Sequence, residues 1–423
     1  MWIKKPSNIN FFILKKYFFL FLTHFFIMTP LAWAIPGQEY LEGLIKNFSN
    51  LFNGPDIQSC NIDQGPKWKE GTQDLDFKFD GVSFIESNSP EVVKGPGYVF
   101  KHDGNGGTQK IKNRPITGCT ELYFFHINKS ESNLLFHLRV KSASSKISKI
   151  SIKGSAYTNQ QYPHDPIGGG QKGQSYMTAR DWLTKQYEYN YKIDVNSQYK
   201  SVITKIFNNK AMVDGKFLIC GSRPFHVALV VSEENINIQK MNKFTSSQAK
   251  GLILEADEGK YGRVSAIFNK SKIKGNISFE SGIPNGELKW HINTDSKFKD
   301  LQDQTMKPIF RMEGSSDRSY GNYGREYDIS LKIDNKLKEC KHYEVVFGTN
   351  HNDTKKEYST WNCPIKLDDD IVPVLTTSKS SEQTLTSFEV MPNQRRNMSI
   401  KFLPCGLSIS KQNLKIKESA CIK

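Results

Sequence analysis

Along most of this chain apolar and polar residues alternate with a period of two, the pattern of a strand that buries one face and wets the other. Leu75, Phe77 and Phe79 alternate with Asp74, Asp76, Lys78 and Asp80, and Ile150 and Ile152 stand between Lys149, Ser151 and Lys153. Tyr187, Tyr189, Tyr191, Ile193 and Val195 alternate with Glu188, Asn190, Lys192 and Asp194. The same reading predicts strands at 202–207, 217–220, 226–231, 252–256, 264–268, 275–280, 287–292 and 327–333. A hairpin is expected across 122–140, with Tyr123, Phe125 and Ile127 on one face of its first strand and Leu134, Phe136, Leu138 and Val140 on one face of its second. On that pairing His126 and His137 become diagonal neighbours on the opposite face. Two imidazoles do not complete a zinc site, which wants three or four protein ligands, so no metal is expected.

Helical spacing is rarer. Leu41, Leu44, Ile45, Phe48, Leu51 and Phe52 recur at three and four residues between Gly37 and Asn53, an amphipathic helix stopped by Gly54-Pro55. A second short helix is expected around Trp182, from Thr178 to Lys185, and the polar stretch 240–250 reads as a linker. The stretch 314–325, rich in glycine, serine and tyrosine, reads as a long surface loop.

The chain opens differently. Lys4, Lys5, Lys15 and Lys16 precede an apolar run from Tyr17 to Met28, then Pro30 and the small-residue pattern Ala32-Trp33-Ala34. This is the layout of a secretory signal peptide cleaved after Ala34, and it predicts a secreted, periplasmic or cell-surface protein with no transmembrane span after cleavage. Without the leader's four lysines, 54 Lys and Arg face 43 Asp and Glu, a net charge of +11 against +15 for the whole chain. No block of five like charges appears beyond the leader, so the excess is expected to be solvated and no nucleic-acid partner is expected.

Export changes the meaning of the seven cysteines, Cys60, Cys119, Cys220, Cys340, Cys363, Cys405 and Cys421. In an oxidising compartment pairing comes before metal binding, and an odd number leaves one thiol over. Cys340 and Cys363 stand nearly symmetrically about a turn cluster at 348–354, and Cys405 and Cys421 about Asn413. Two antiparallel hairpins there predict disulfides Cys340–Cys363 and Cys405–Cys421, with Cys60, Cys119 and Cys220 left undecided.

Candidate chemistry gathers in 158–174, a stretch without periodicity that holds Tyr162, His164, the run Gly168-Gly169-Gly170 and Lys172. It is not a phosphate loop, because Lys172 precedes Gly173 and Gln174 rather than a Ser or Thr. Tyr187, Tyr189 and Tyr191 form a row whose rings offer apolar faces and polar tips to a sugar, so these three with His164 and Lys172 are the candidate ligand-binding residues. The sequence holds no Gly-x-Ser-x-Gly elbow and no His-Glu-x-x-His helix, and its pattern leans away from an enzyme. A calcium loop at Asp103-Gly104-Asn105-Gly106-Gly107 lacks its downstream bidentate acid, and no cofactor is expected.

Together these features predict a mainly β protein: two to three β-sandwich domains, jelly-roll-like or immunoglobulin-like, preceded by a short amphipathic helix. The expected division is a signal peptide at 1–34, the helix at 35–55, a β-rich domain at 56–240, a small sandwich at 241–335 and a disulfide-stapled β domain at 336–423. The function expected is that of an exported binding or adhesion module with a glycan or another envelope protein as partner. The alternatives are a structural subunit of a cell-envelope assembly and a secreted hydrolase with carboxylates brought together from distant strands.

Overall fold

A computed structural model describes residues 72–103, 114–158, 170–252, 263–295, 301–349, 359–406, 408 and 411–421. The predicted leader, the helix at 37–53, Cys60, the Asp103-to-Gly107 turn beyond its first residue, and His164 lie outside the described residues. The chain from Gln64 to Lys423 is one compact unit, and its fold is mainly β, built as two sandwiches.

The first sandwich sets a four-stranded sheet against a nine-stranded one. The four-stranded sheet runs in the order Lys200–Phe207, Leu134–Ser142, Phe225–Glu233, Gly97–Lys101. The longer path of the other sheet runs Phe310–Arg311, Ser265–Phe268, Ser83–Ser87, Cys119–Asn128, Met212–Gly221, Ser148–Thr158, Tyr189–Val195. Between them lies one apolar core, to which Leu134, Phe136, Leu138 and Val140 contribute from one side and Leu122, Phe124, Val213 and Phe217 from the other.

The expected hairpin at 122–140 does not form. Its strands belong to opposite sheets: Cys119–Asn128 pairs with Ser83–Ser87 and Met212–Gly221, while Leu134–Ser142 pairs with Lys200–Phe207 and Phe225–Glu233. The reason lies in the first strand, which is apolar on both faces. Leu122 and Phe124 enter the main core while Tyr123 and Phe125 enter a second cluster with Phe84 and Phe268. Such a strand needs cover on both sides and so sits centrally in a sheet. Asn128 pins the crossover, its Nδ2 donating to the carbonyls of Phe207 (2.6 Å) and Ser132 (3.1 Å) and its Oδ1 accepting from the Ser130 backbone (2.9 Å).

In the second sandwich a five-stranded sheet (Thr72–Gln73, Glu287–Ile292, Gln412–Ala420, Lys341–Thr349, Glu382–Val390) faces a six-stranded one (Asp76–Asp80, Lys272–Glu280, Glu326–Asp334, Arg395–Phe402, Ser359–Leu367, Asp370–Thr377). Strands from either side of residue 335 interleave in both sheets, and Asp76–Asp80 pairs with Lys272–Glu280 across almost two hundred residues. The alternation read at 75–80 holds: Leu75 is fully buried, and Phe77 and Phe79 meet edge-on at 5.4 Å against the core around Trp361 and Phe402.

Three disulfides are present, and their pairing corrects the expected one. Cys340 bonds Cys421, Cys363 bonds Cys405, and Cys119 bonds Cys220. The turn cluster near 351 is not a hairpin, since Lys341–Thr349 and Ser359–Leu367 lie in different sheets, and Asn413 is within a strand. Register explains the true pairs: Lys341 is opposite Ala420, which brings the flanking Cys340 and Cys421 together, and Cys119 is opposite Cys220. Closing loops of 101, 81 and 42 residues, each bond contributes roughly 4–5 kcal/mol in the chain-entropy picture.

Where the two sandwiches meet, the outer face of the nine-stranded sheet is covered by the helix Gln174–Thr184 and by 301–325. Of the latter, the part at 314–325 is not the surface loop its composition predicts. Ser315, Ser316, Ser319, Asn322 and Arg325 are buried, and neighbouring polar groups hold part of the segment: Asn322 Nδ2 donates to the Gln304 carbonyl (3.1 Å) and Ser319 Oγ to Glu86 (2.5 Å). Charges are buried with them. Lys216 Nζ contacts Glu121 at 2.5 Å and lies 4.6 Å over the rings of both Phe84 and Trp182, and Trp182 Nε1 donates to Glu326 at 2.8 Å.

Candidate functional site

The outer face of the four-stranded sheet carries a concavity. Phe225–Glu233 is apolar on both faces, sending Val227, Leu229 and Val231 into the core and Ala228 and Val230 outward. A second helix, Ile238–Ser246, covers the outward pair with Met241. This helix occupies the stretch read as a linker. Its apolar positions are few among Lys, Asn and Gln, but Asn237 caps it by accepting from the Lys240 backbone at 2.9 Å, and Met241 and Thr245 fall on one face. Because nine residues cover only part of the sheet, the remainder is left open as a groove.

That groove has a volume of about 460 Å³, within the range of roughly 300–1,000 Å³ usual for small-molecule sites. Its floor is Arg139, from the centre of the sheet; one wall is Lys200 and Ser201 with the preceding turn, Asn196, Gln198 and Tyr199; the other is Ile236, Asn237, Ile238 and Met241. Arg139 is only 2% exposed. Its Nη2 donates to the Tyr199 carbonyl (2.7 Å) and its Nη1 to Thr245 Oγ1, while Nε has no hydrogen-bond partner among the described residues. Burial pulls its pKa below the ordinary guanidinium value. Beneath the rim, Lys141 lies 4.7 Å over the Tyr199 ring and pairs with Asp103. Burial and the adjacent Asp103 charge push the Tyr199 hydroxyl well above its usual pKa. Lining residues with cationic, amide, hydroxyl and apolar ends suit binding of a small polar ligand.

The residues singled out in the sequence lie elsewhere. Tyr187, Tyr189 and Tyr191 are half-buried, Tyr189 and Tyr191 against the main core and Tyr187 beside Trp182 at 5.9 Å. Tyr189 has Phe217 at 6.0 Å and Lys205 Nζ at 5.2 Å from its ring, so the row lines a core edge. Tyr191 has an indirect part in the groove, since its hydroxyl donates to the carbonyl of Val202, where the register of the wall strand shifts by one residue. Lys172 is exposed in a short 3-10 turn, Gly170–Lys172, and is not among the groove's lining residues.

His126 and His137 are in opposite sheets. His126 is hydrogen-bonded to Ser87 Oγ (3.1 Å) and the Pro90 carbonyl (2.8 Å), and His137 to Thr204 Oγ1 (3.0 Å) and Ser232 Oγ (2.9 Å). The histidines that do meet are His102 and His226, with Nε2 and Nδ1 3.2 Å apart. Burial first, and then the neighbouring imidazole, hold His102 down at about 3. Cys340, Glu389 and Cys421 also lie close together, but both sulfurs belong to a disulfide and offer no thiolate to a metal.

No family model matches this chain, and no curated protein matches it. Solved structures give only slight likenesses. The CupB6 tip adhesin from Pseudomonas aeruginosa is 8% identical with a TM-score of 0.16, over 77% of this chain and 94% of that one. The N-terminal CBM22-1-CBM22-2 tandem domain from Paenibacillus barcinonensis Xyn10C is 8% identical with a TM-score of 0.15, over 78% and 92%. Lac15 from a marine microbial metagenome is 7% identical with a TM-score of 0.12, and the match spans 61% of its length. At such scores these likenesses carry no argument about function.

Proposed function

We propose that the protein is an exported binding module whose ligand, a glycan or another small polar group of the cell envelope, is held in the groove floored by Arg139. The observation that carries this reading is the groove itself: an open site of small-molecule size, with a buried guanidinium at its base and amide and hydroxyl groups around its rim. Three disulfides support an oxidising compartment, in keeping with the leader at 1–34. No helix among the described residues is long and apolar enough to cross a membrane. The tyrosine row is a weaker contact surface, because its rings already pack against protein.

A glycan array probed with the purified protein tests the reading, repeated with Gln198→Ala and with Tyr189→Ala. Gln198 is exposed on the groove wall, so its truncation is expected to leave the fold intact. Binding that falls with Gln198→Ala supports the groove. Binding unchanged by Gln198→Ala and abolished by Tyr189→Ala returns the contact to the tyrosine row.

A further inference from the structure

We propose that the groove takes a carboxylate-bearing saccharide, a hexuronate unit, with Arg139 and Lys200 as the partners of its carboxylate. The inference rests on the groove being the contact surface and adds the chemical class of what enters it. Two of the lining residues are cationic, and none is acidic. Asp103, the acid whose charge acts on Tyr199, is already engaged by Lys141.

Arg139 is also constrained in a way that favours one kind of ligand. With Nη1 held by Thr245 and the Met241 carbonyl and Nη2 donating to the Tyr199 carbonyl, the guanidinium keeps its buried Nε–H without a partner among the described residues. Nε and Nη2 together form the edge on which a carboxylate docks side-on with two parallel hydrogen bonds. Among the described residues the buried guanidinium has no carboxylate partner, a costly arrangement that an arriving anion relieves. Lys200, exposed on the wall, adds a second charge at the entrance and steers anions toward it. Amide and hydroxyl groups at Asn196, Gln198 and Ser201 are placed to meet sugar hydroxyls. A volume of about 460 Å³ suits a sugar unit better than the broad footprint of a folded partner.

The test is titration calorimetry of the purified protein with trigalacturonate, with the same trisaccharide after reduction of its carboxyl groups, and with hexaglutamate. Because Arg139 holds the helix and strand together, the variant used is Lys200→Glu, at an exposed position. The expected result is that trigalacturonate binds, that carboxyl reduction and Lys200→Glu each weaken binding about tenfold or more, and that hexaglutamate binds less well than the sugar. Failure of trigalacturonate to bind, equal affinity for the reduced sugar, or tighter binding of hexaglutamate would each overturn the inference. Should a neutral glycan bind and lose affinity in Gln198→Ala while trigalacturonate does not bind, the groove stands as the contact surface and only the hexuronate assignment falls. Should trigalacturonate bind undiminished in both Gln198→Ala and Lys200→Glu, both fall.

Discussion

Lys216 Nζ sits 2.5 Å from Glu121 Oε2, with the lysine side chain fully buried and the carboxylate nearly so. The pair lies on the outer face of the nine-stranded sheet, where the second sandwich packs, and Glu121 Oε1 accepts from Ser271 Oγ at 2.9 Å on a segment leading into that sandwich. Taking both charges from water is expensive, and the pair persists because each remaining polar atom has a partner and the ammonium lies over two aromatic rings.

Removing one member therefore costs more than removing both. Lys216→Met leaves the Glu121 carboxylate buried without its cation, and a loss of about 3–5 kcal/mol is expected in urea denaturation. Adding Glu121→Gln to that variant recovers most of the loss. A Lys216→Met protein within about 1 kcal/mol of the parent would show that the pair does not hold the joint.

Acid should destabilise the protein through its buried histidines. Burial lowers His126, His137 and His291 to about 4 and His102 to about 3. In the unfolded chain these imidazoles take up protons below 6.5 while the folded protein does not, so stability is complete above 6.5 and is lost as pH falls toward 4. Two buried acids work in the opposite sense. Burial raises Glu86 to about 7 and Asp214 to about 6, so their contributions fall as pH rises from the unfolded values of 4.5 and 3.8 through those points. Each titrating group changes stability by at most ~1.4 kcal/mol per pH unit, and the four histidines outnumber the two acids. The melting temperature is expected to rise from pH 4.5 to about 6.5 and to level off or dip slightly by 7.5. A higher melting temperature at pH 4.5 than at 6.5 contradicts this balance.

Disulfide chemistry separates the true pairing from the one that sequence symmetry favours. Peptide mapping under non-reducing conditions should recover Cys340 with Cys421 and Cys363 with Cys405. Cys363 and Cys405 are buried, whereas Cys340 and Cys421 are half-exposed. Limited reduction followed by alkylation should therefore label Cys340 and Cys421 before Cys363 and Cys405. A Cys340–Cys363 peptide would overturn the crossover between the sheets of the second sandwich.

Gly324 is a further point of strain sensitivity at the joint. Its φ is +70°, and a Cβ there would stand 2.0 Å from the ring of Tyr123, which is itself 2% exposed. Gly324→Ala is expected to cost about 2 kcal/mol or more, read as a fall in melting temperature. An unchanged melting temperature would mean that the Tyr123 ring moves freely.

Much of the fold is legible where a strand has one wet face. The alternation at 75–80 and at 149–153 identifies buried residues because water and core impose opposite demands on neighbouring positions. Pairing is less legible. The five residues between Asn128 and Leu134 have the composition of a hairpin turn, yet they carry the chain from one sheet to the other, a choice made by the two-sided burial of Tyr123, Phe124 and Phe125. For the groove, Arg139, Tyr199 and Asn237 converge only through tertiary packing, and no spacing announces them. Two signals were present: a charged residue in an otherwise apolar strand, which must find acceptors once buried, and Asn237 at the head of an amphipathic turn through Ile238 and Met241.

Hydrogen exchange of the purified protein, with and without the tightest-binding glycan from the array, tests the central claim most directly. The account predicts slowed exchange in 196–201 and 236–241, the two walls of the groove, with little change at Tyr189 to Ile193 or in the second sandwich. Protection centred on those latter segments, with 196–201 and 236–241 unaffected, would contradict it.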